Sequence, residues 1–254
     1  KSSSKTLRGG LNDVKNLAAF ARFSRQSVQQ DAMEQEKNAA SYQADRLARK
    51  NGFQRTVSFS NADDVRALGI EVGDIVCFEP RTRVTEKGYI KSRFLDDKLS
   101  VGILLGFAKF LKENGITLPR RTYAHVTVYE EVGHGGSGSV PCGVTEAISV
   151  DMGCVGEGLT CTEKMVSICA KDSSGPYDYS ITSRLAELAK EEGLKFAIDI
   201  YPFYSSDVSA ALRGGQDIQG GLIGPGVFAS HAYERSSVEA VENTLKLLIA
   251  YVLD

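Results

Sequence analysis

Residues 89–129, YIKSRFLDDKLSVGILLGFAKFLKENGITLPRRTYAHVTVY, decide the fold. Tyr89–Arg93 reads as a strand, Leu99–Glu113 as a helix that stops at Gly115, and Tyr123–Tyr129 as a second strand. Strand, helix and strand in succession are the grammar of an α/β protein. The texture continues toward the C-terminus, where Ala147–Asp151, Met165–Ala170, Lys195–Tyr201 and Asp217–Ile223 read as strands. Ser180–Glu192, stopped by Gly193, reads as a helix, and a shorter helix falls near Asp207–Leu212. The last helix opens at Ser236, where Glu239 three residues on completes a capping box, and runs through Val241, Leu245 and Leu248. The natural assembly is a mixed, twisted sheet with helices on both faces.

Toward the N-terminus the pattern changes. Ser58–Pro80 consists of short apolar pieces and turn residues, with Gly69 and Gly73 bracketing a tight loop before a strand at Ile75–Phe78. Residues 58–88 therefore read as a partial, small β-rich insert and residues 89–254 as the α/β domain. Residues 1–57 read as a polar helical segment. Its 11–50 stretch is rich in Ala, Gln, Glu, Lys and Arg, but between Arg25 and Lys37 only Val28, Ala32 and Met33 are apolar, too few for a buried face. A helix of this kind covers a surface or contacts a partner.

Composition removes whole classes of function. Lysine and arginine total 30 against 32 aspartates and glutamates, so there is no broad cationic field to hold phosphate backbones or an anionic membrane. Neither nucleic acid nor lipid is expected as a partner. The longest apolar runs, Val101–Phe107 and Leu245–Leu253, fall short of the roughly 18 residues that a membrane-spanning helix needs. Cys77, Cys142, Cys154, Cys161 and Cys169 are odd in number and scattered, with no C-x-x-C pair, which argues against a disulfide framework or a structural zinc site. A reducing, cytoplasmic setting fits them. The chain begins at Lys1 without an initiator methionine or a signal-like stretch, as a processed or incomplete chain would.

In an open α/β sheet, reactive groups collect where strands end. Asp96 and Asp97 follow Tyr89–Arg93, Glu130 and Glu131 end Tyr123–Tyr129, Asp151 ends its strand, and His231 lies in the loop Gly226–Tyr233. Taken singly, each has an ordinary reading. Either aspartate of the pair could cap the next helix; the glutamates could be a solvated strand end; Asp151 could form a turn; His231 could be a satisfied surface or core histidine. Together they are the oxygen and nitrogen donors that a divalent transition metal takes. Without cations, clustering five carboxylates would cost several kcal/mol in repulsion and desolvation.

The runs Lys91–Lys98 (KSRFLDDK), Glu130–Gly133 (EEVG), Ser149–Gly153 (SVDMG) and Ser230–Arg235 (SHAYER) occur in the order and spacing of the TET-type aminopeptidases, and the chain resembles that family from about Asp64 to Asp254. These are co-catalytic dinuclear metallopeptidases that include glutamyl, leucyl and lysyl aminopeptidases, with a zinc-exopeptidase-like fold. The resemblance implies that Asp96 bridges two metal ions and that Asp97 fixes its geometry through a non-proline cis peptide. It implies that Asp151 binds the first ion, that Glu131 and His231 complete the second, and that Glu130 is the general base. The ions would be Zn²⁺ or Co²⁺, two per subunit in the family. The implied activity is release of N-terminal residues from short peptides by a metal-activated water. The implied assembly is a homo-oligomer, from a dimer up to a dodecamer.

Two departures qualify these expectations. Relatives carry a histidine in a His-x-Asp context near the chain start as the remaining ligand of the first ion, whereas the histidines here are His125, His134 and His231. Of the family's β-rich insertion only Asp64–Phe78 is recognisable. The expectation is a site with its second metal position intact and its first weakened, holding one ion rather than two. His134, in the glycine-rich run 133–138, is the alternative ligand that position allows, while His125 inside a strand reads as structural. The alternative function is a catalytically impaired homologue or fragment with an assembly or peptide-binding role, and a deacylase or carboxypeptidase of the same dinuclear class is a third. The loops near Ser205–Asp207 and Gly220–Ser230 are expected to shape the specificity pocket.

Overall fold

The computed structural model describes residues 61–75 and 78–254. They belong to two units that divide between Glu79 and Pro80. In the first, Ala62–Ala67 forms a short helix, α1, because the Asn61 side chain accepts hydrogen bonds from the Asp63 and Asp64 N–H groups at 2.9 and 3.0 Å. The helical reading of residues 1–57 lies outside the described residues, as do Val76 and Cys77 in the middle of the expected strand Ile75–Phe78.

The second unit runs through β1 (Arg83–Val84), β2 (Tyr89–Ser92), α2 (Leu95–Glu113), two 3₁₀ turns (Glu130–Val132 and Gly136–Gly138), β3 (Glu146–Val150), β4 (Gly153–Val155), β5 (Val166–Asp172) and β6 (Gly175–Pro176). It ends with α3 (Tyr179–Glu191), β7 (Phe196–Ile200), α4 (Asp207–Arg213), β8 (Gln219–Phe228), β9 (Glu234–Ser237) and α5 (Val238–Leu253). The strands form one nine-stranded mixed sheet with β8 at its centre. β8 runs parallel to β3 and β4 and antiparallel to β5 and β9. Beyond β9 the sheet continues antiparallel through β2 to β1, and β5 also pairs with β6 and, in parallel, β7.

Helices cover both faces, and two consecutive glycines of β8 show how closely. Successive strand residues point to opposite faces. A Cβ on Gly220 would lie 2.5 Å from Val208 of α4, and one on Gly221 would lie 2.7 Å from Ile181 of α3. A side chain at either position would push a helix off the sheet. The core on one side gathers Met152, Cys154, Cys169, Tyr177, Tyr201, Val208, Leu222 and Val227. α5 contributes Leu245, Leu247, Leu248 and Ile249, each at most 5% exposed. No helix among the described residues is long and apolar enough to cross a membrane.

Three sequence expectations are corrected. Tyr123–Tyr129 is not a strand: alternation becomes β structure only when a neighbour supplies a hydrogen-bond ladder, and among the described residues no strand pairs with it. Val126, Val128 and Tyr129 stand exposed. The cap of the last helix is Ser237, whose Oγ accepts from the Ala240 N–H at 3.2 Å, whereas Ser236 lies in β9 and donates to the Gly226 carbonyl at 2.7 Å. Glu239, free of a capping box, pairs with Lys195 at 2.5 Å. The stretch Gly220–Phe228 is the central strand and not a pocket loop.

Candidate metal centre

Asp96 and Asp97 sit at the mouth of α2, before the helix becomes regular. Phe94 takes the N-cap position with φ 63°, and Asp96 and Asp97 have non-helical backbone angles, with a cis peptide between them. Their carboxylates are thereby turned toward the ends of the strands rather than back onto helix N–H groups. Asp151 follows directly on β3, at the break before β4, where its N–H donates to the Ile223 carbonyl at 3.0 Å. A Cβ on Gly224 would lie 1.7 Å from the Asp151 carbonyl oxygen, so only glycine lets β8 pass this close. Glu130 and Glu131 occupy the first 3₁₀ turn, and His231 lies between β8 and β9 with φ 66°.

The fold gathers five of the six into two overlapping groups, with Glu130 within electrostatic reach of Asp96, Asp97 and Asp151. One ligand atom from each of Asp96, Glu131 and His231 lies within 4.8 Å of the others, and the same holds for Asp96, Asp97 and Asp151. Asp96 belongs to both groups, and its side chain is only 5% exposed. His231 Nε2 is 3.3 Å from Asp96 Oδ2 and 3.3 Å from Glu131 Oε2. Two ligands each about 2.0–2.1 Å from a shared tetrahedral ion are separated by about 3.3 Å, so the spacing of His231 from each carboxylate matches that of ligands on one divalent metal. In the second group Asp97 Oδ1 is buried with no hydrogen-bond partner. A buried carboxyl oxygen without a donor is costly; a cation would satisfy it, and the Ser100 hydroxyl beside it opposes the rise in the Asp97 pKa. His134 belongs to neither group and stacks on Tyr129 with ring centroids 5.0 Å apart. His125 is exposed and outside any strand.

The electrostatics carry the same signature. Burial, followed by the charge of Asp151, holds Asp97 well above the usual carboxylate range, and burial with Asp96 does the same to Asp151. Glu131 is raised by burial and by Asp96, against the opposing effect of His231. Glu130 is pushed up to about 7 by burial, then by Glu131, Asp207 and Asp96. The carboxylates of the two donor groups thus raise one another. Divalent cations reverse such shifts, because they favour the ionised form.

Three residues that hold the site were not singled out from sequence. Glu234, 1% exposed, accepts backbone hydrogen bonds from Leu95, from Asp96 at 3.0 Å and from His231 at 3.0 Å. Ser230 Oγ donates to Asp96 Oδ2 at 2.5 Å. Asp207 accepts from Thr127 Oγ1 at 2.6 Å and from the Gly136 N–H at 2.7 Å, pinning the connection that carries Glu130 and Glu131. The signal for Glu234 and Ser230 was their place in the run Ser230–Arg235. Asp207 was marked by its helix-opening position and as the end of the loop Ser205–Asp207 expected to shape the specificity pocket.

The family model of the M42 glutamyl aminopeptidases matches residues 54–247. The chain belongs to this family. As an M42 chain it is 47% identical over 189 residues to YhfE of Bacillus subtilis (strain 168), covering 74% of this chain and 55% of that protein. It therefore spans about half the length of that curated relative. Among solved structures, its fold resembles the TET aminopeptidase of Thaumarchaeota archaeon SCGC AB-539-E09, with TM-score 0.65, 20% identity and coverage of 75% of this chain and 56% of that one. It also resembles the Pyrococcus horikoshii TET1 peptidase, with TM-score 0.57, 21% identity and coverage of 68% and 53%. The zinc-exopeptidase-like α/β fold expected for the M42 chain is thus the one it has.

Proposed function

We propose that this chain carries the metal-dependent centre of an aminopeptidase that removes N-terminal residues from short peptides. The observation that supports this most is Asp96, one buried carboxylate shared by two donor groups, with Glu130 poised beside them. Asp96, Glu131 and His231 would hold one divalent cation, Zn²⁺ or Co²⁺, and Asp96, Asp97 and Asp151 the donors of a second, weaker position. When bound, such ions supply Lewis acidity toward water and toward the scissile carbonyl.

The chain's own residues supply the rest. Glu130 accepts a proton from the attacking water and passes it to the departing amine, which is the protonation cycle peptide hydrolysis requires. Ser230 and Glu234 keep Asp96 in place, and Asp207 keeps Glu130 in place. The acidic cluster attracts the protonated α-amine of a peptide, which restricts cleavage to the first residue. Short peptides in the cytoplasm are the substrates this reading implies, with a homo-oligomer as the working form; the Pyrococcus horikoshii TET1 peptidase can assemble into a tetrahedron or a large octahedral shell.

The impaired-homologue reading draws on one observation: the group Asp96, Asp97 and Asp151 contains no nitrogen ligand. Hydrolysis of aminoacyl-anilides by the chain with added Zn²⁺ or Co²⁺ separates the two. Activity that falls on the order of 10²–10⁴-fold in Glu130→Gln supports the enzyme. Activity that survives the substitution removes Glu130 as base, and no activity with any metal favours the impaired homologue.

A further inference from the structure

The proposed ligands Asp96 and His231 are contributed by segments far apart in the chain, yet their relative position must hold to about half an ångström for both to serve one ion. The sheet alone does not provide this. Asp96 lies before the regular part of α2, and His231 lies in a loop in a left-handed conformation. Both lie outside the regular hydrogen-bond ladders, and one side chain binds the backbone of both. Glu234 leaves β9 toward the interior, is 1% exposed, and divides its two oxygens between the segments: Oε2 receives the N–H groups of Leu95 and Asp96, and Oε1 receives the N–H of His231.

We infer that Glu234 is a positioning residue, a buried carboxylate brace that sets the spacing between Asp96 and His231 by binding the backbone of both. The inference rests on the metal-dependent reading of the site and extends it to a residue that touches neither substrate nor ion. The chemistry demands a carboxylate. All three donors are N–H groups, so both oxygens must accept, and a carboxylate is acceptor-only on both sides. Glutamine presents one oxygen and one NH₂, so at one end two donors face each other. Aspartate keeps both acceptors but is one methylene shorter and reaches only one segment. Groups behind metal ligands characteristically alter affinity by 10–100-fold when changed.

The test uses the full 254-residue chain with Glu234→Gln and Glu234→Asp, titrated calorimetrically with Zn²⁺ alone. Amide hydrogen exchange is measured on the metal-free proteins. The expected result is a 10–100-fold weaker Zn²⁺ affinity for Glu234→Gln, with faster exchange at residues 95–96 and 231 together while α5 stays protected. Glu234→Asp should keep protection in one segment and lose it in the other. A Glu234→Gln protein that binds Zn²⁺ like the parent with both segments protected overturns the inference. So does a uniform rise in exchange across the core at unchanged affinity, since that is a general stability effect. If the parent chain binds no Zn²⁺, the metal reading fails by itself, and the brace is then decided by exchange: joint loss of protection upholds it and unchanged protection overturns it. Should Glu234→Gln fail to fold, the one-sided loss in Glu234→Asp supplies the decision, and protection retained at both segments overturns the brace.

Discussion

Glu130 should make the metal-free protein less stable as pH rises, and Glu130→Gln should abolish that part of the loss. At pH values below 4.5 the side chain carries a proton in the folded and unfolded chains alike, so it contributes nothing. Between 4.5 and about 7 the unfolded chain releases the proton while the folded chain retains it, so each step upward favours unfolding; above 7 the loss is complete. The rise from 4.5 to about 7, at 1.36 kcal/mol for each pKa unit, corresponds to about 3 kcal/mol. Glu130 is only partly buried, and solvent screening reduces this to roughly 1.5 kcal/mol. For a protein of this size that is about 3–6 °C in Tm. Thermal or urea unfolding in EDTA at pH 4.5, 6 and 8 measures it. The two proteins should coincide at pH 4.5 and separate by that amount at pH 8, with Glu130→Gln the more stable. Asp97, Asp151, Glu131 and Glu234, also raised, add a decline of the same sign to both proteins; for Asp97 and Asp151 the Glu130 charge is one of its causes, so that decline is smaller in Glu130→Gln and widens the difference in the same direction. Asp178 and Asp254 are lowered, so their contribution falls away only below the ordinary carboxylate range, outside this window. A difference that is flat with pH, or one in which the parent gains stability at pH 8, refutes the electrostatic account.

Two further outcomes follow from the geometry. His231→Ala removes the nitrogen donor from the group with Asp96 and Glu131, and elemental analysis after dialysis against Zn²⁺ should find that position empty, because two carboxylates are an incomplete set. Gly224→Ala places a methyl group 1.7 Å from the Asp151 carbonyl, a backbone contact that cannot relax by side-chain rotation. It should cost at least about 1–3 kcal/mol in unfolding free energy and displace Asp151, and an unchanged urea midpoint would contradict the packing described.

Much of the molecule was legible because its signals are local. The helical spacing of Leu99–Glu113 and of the C-terminal segment marked α2 and α5, and acidic residues at predicted strand ends marked Asp96, Asp97, Asp151 and the glutamate pair. What failed were features whose cause lies elsewhere in the chain. Tyr123–Tyr129 has the composition of a strand but lacks a pairing neighbour among the described residues. Ser236 and Ser237 are adjacent candidates for one cap, and the choice between them is made by β9, whose partner β2 begins at Tyr89. Glu234 bonds to a backbone group 138 residues away. No local pattern distinguishes such a carboxylate from a solvated one.

The two halves of the centre rest on foundations of unequal stiffness. Asp151 and His231 stand beside paired strands, and Asp96 is tied to His231 through Glu234. Glu130 and Glu131 stand on the chain between α2 and β3, residues 114–145, whose regular structure is limited to two 3₁₀ turns and which Asp207 holds by side-chain bonds rather than a ladder. Segments with few ladder bonds open at lower free energy than the sheets they adjoin. Mild heating should therefore unseat the glutamates while the aspartates and the histidine hold their places, so that the proposed hydrolysis would fail before the fold does.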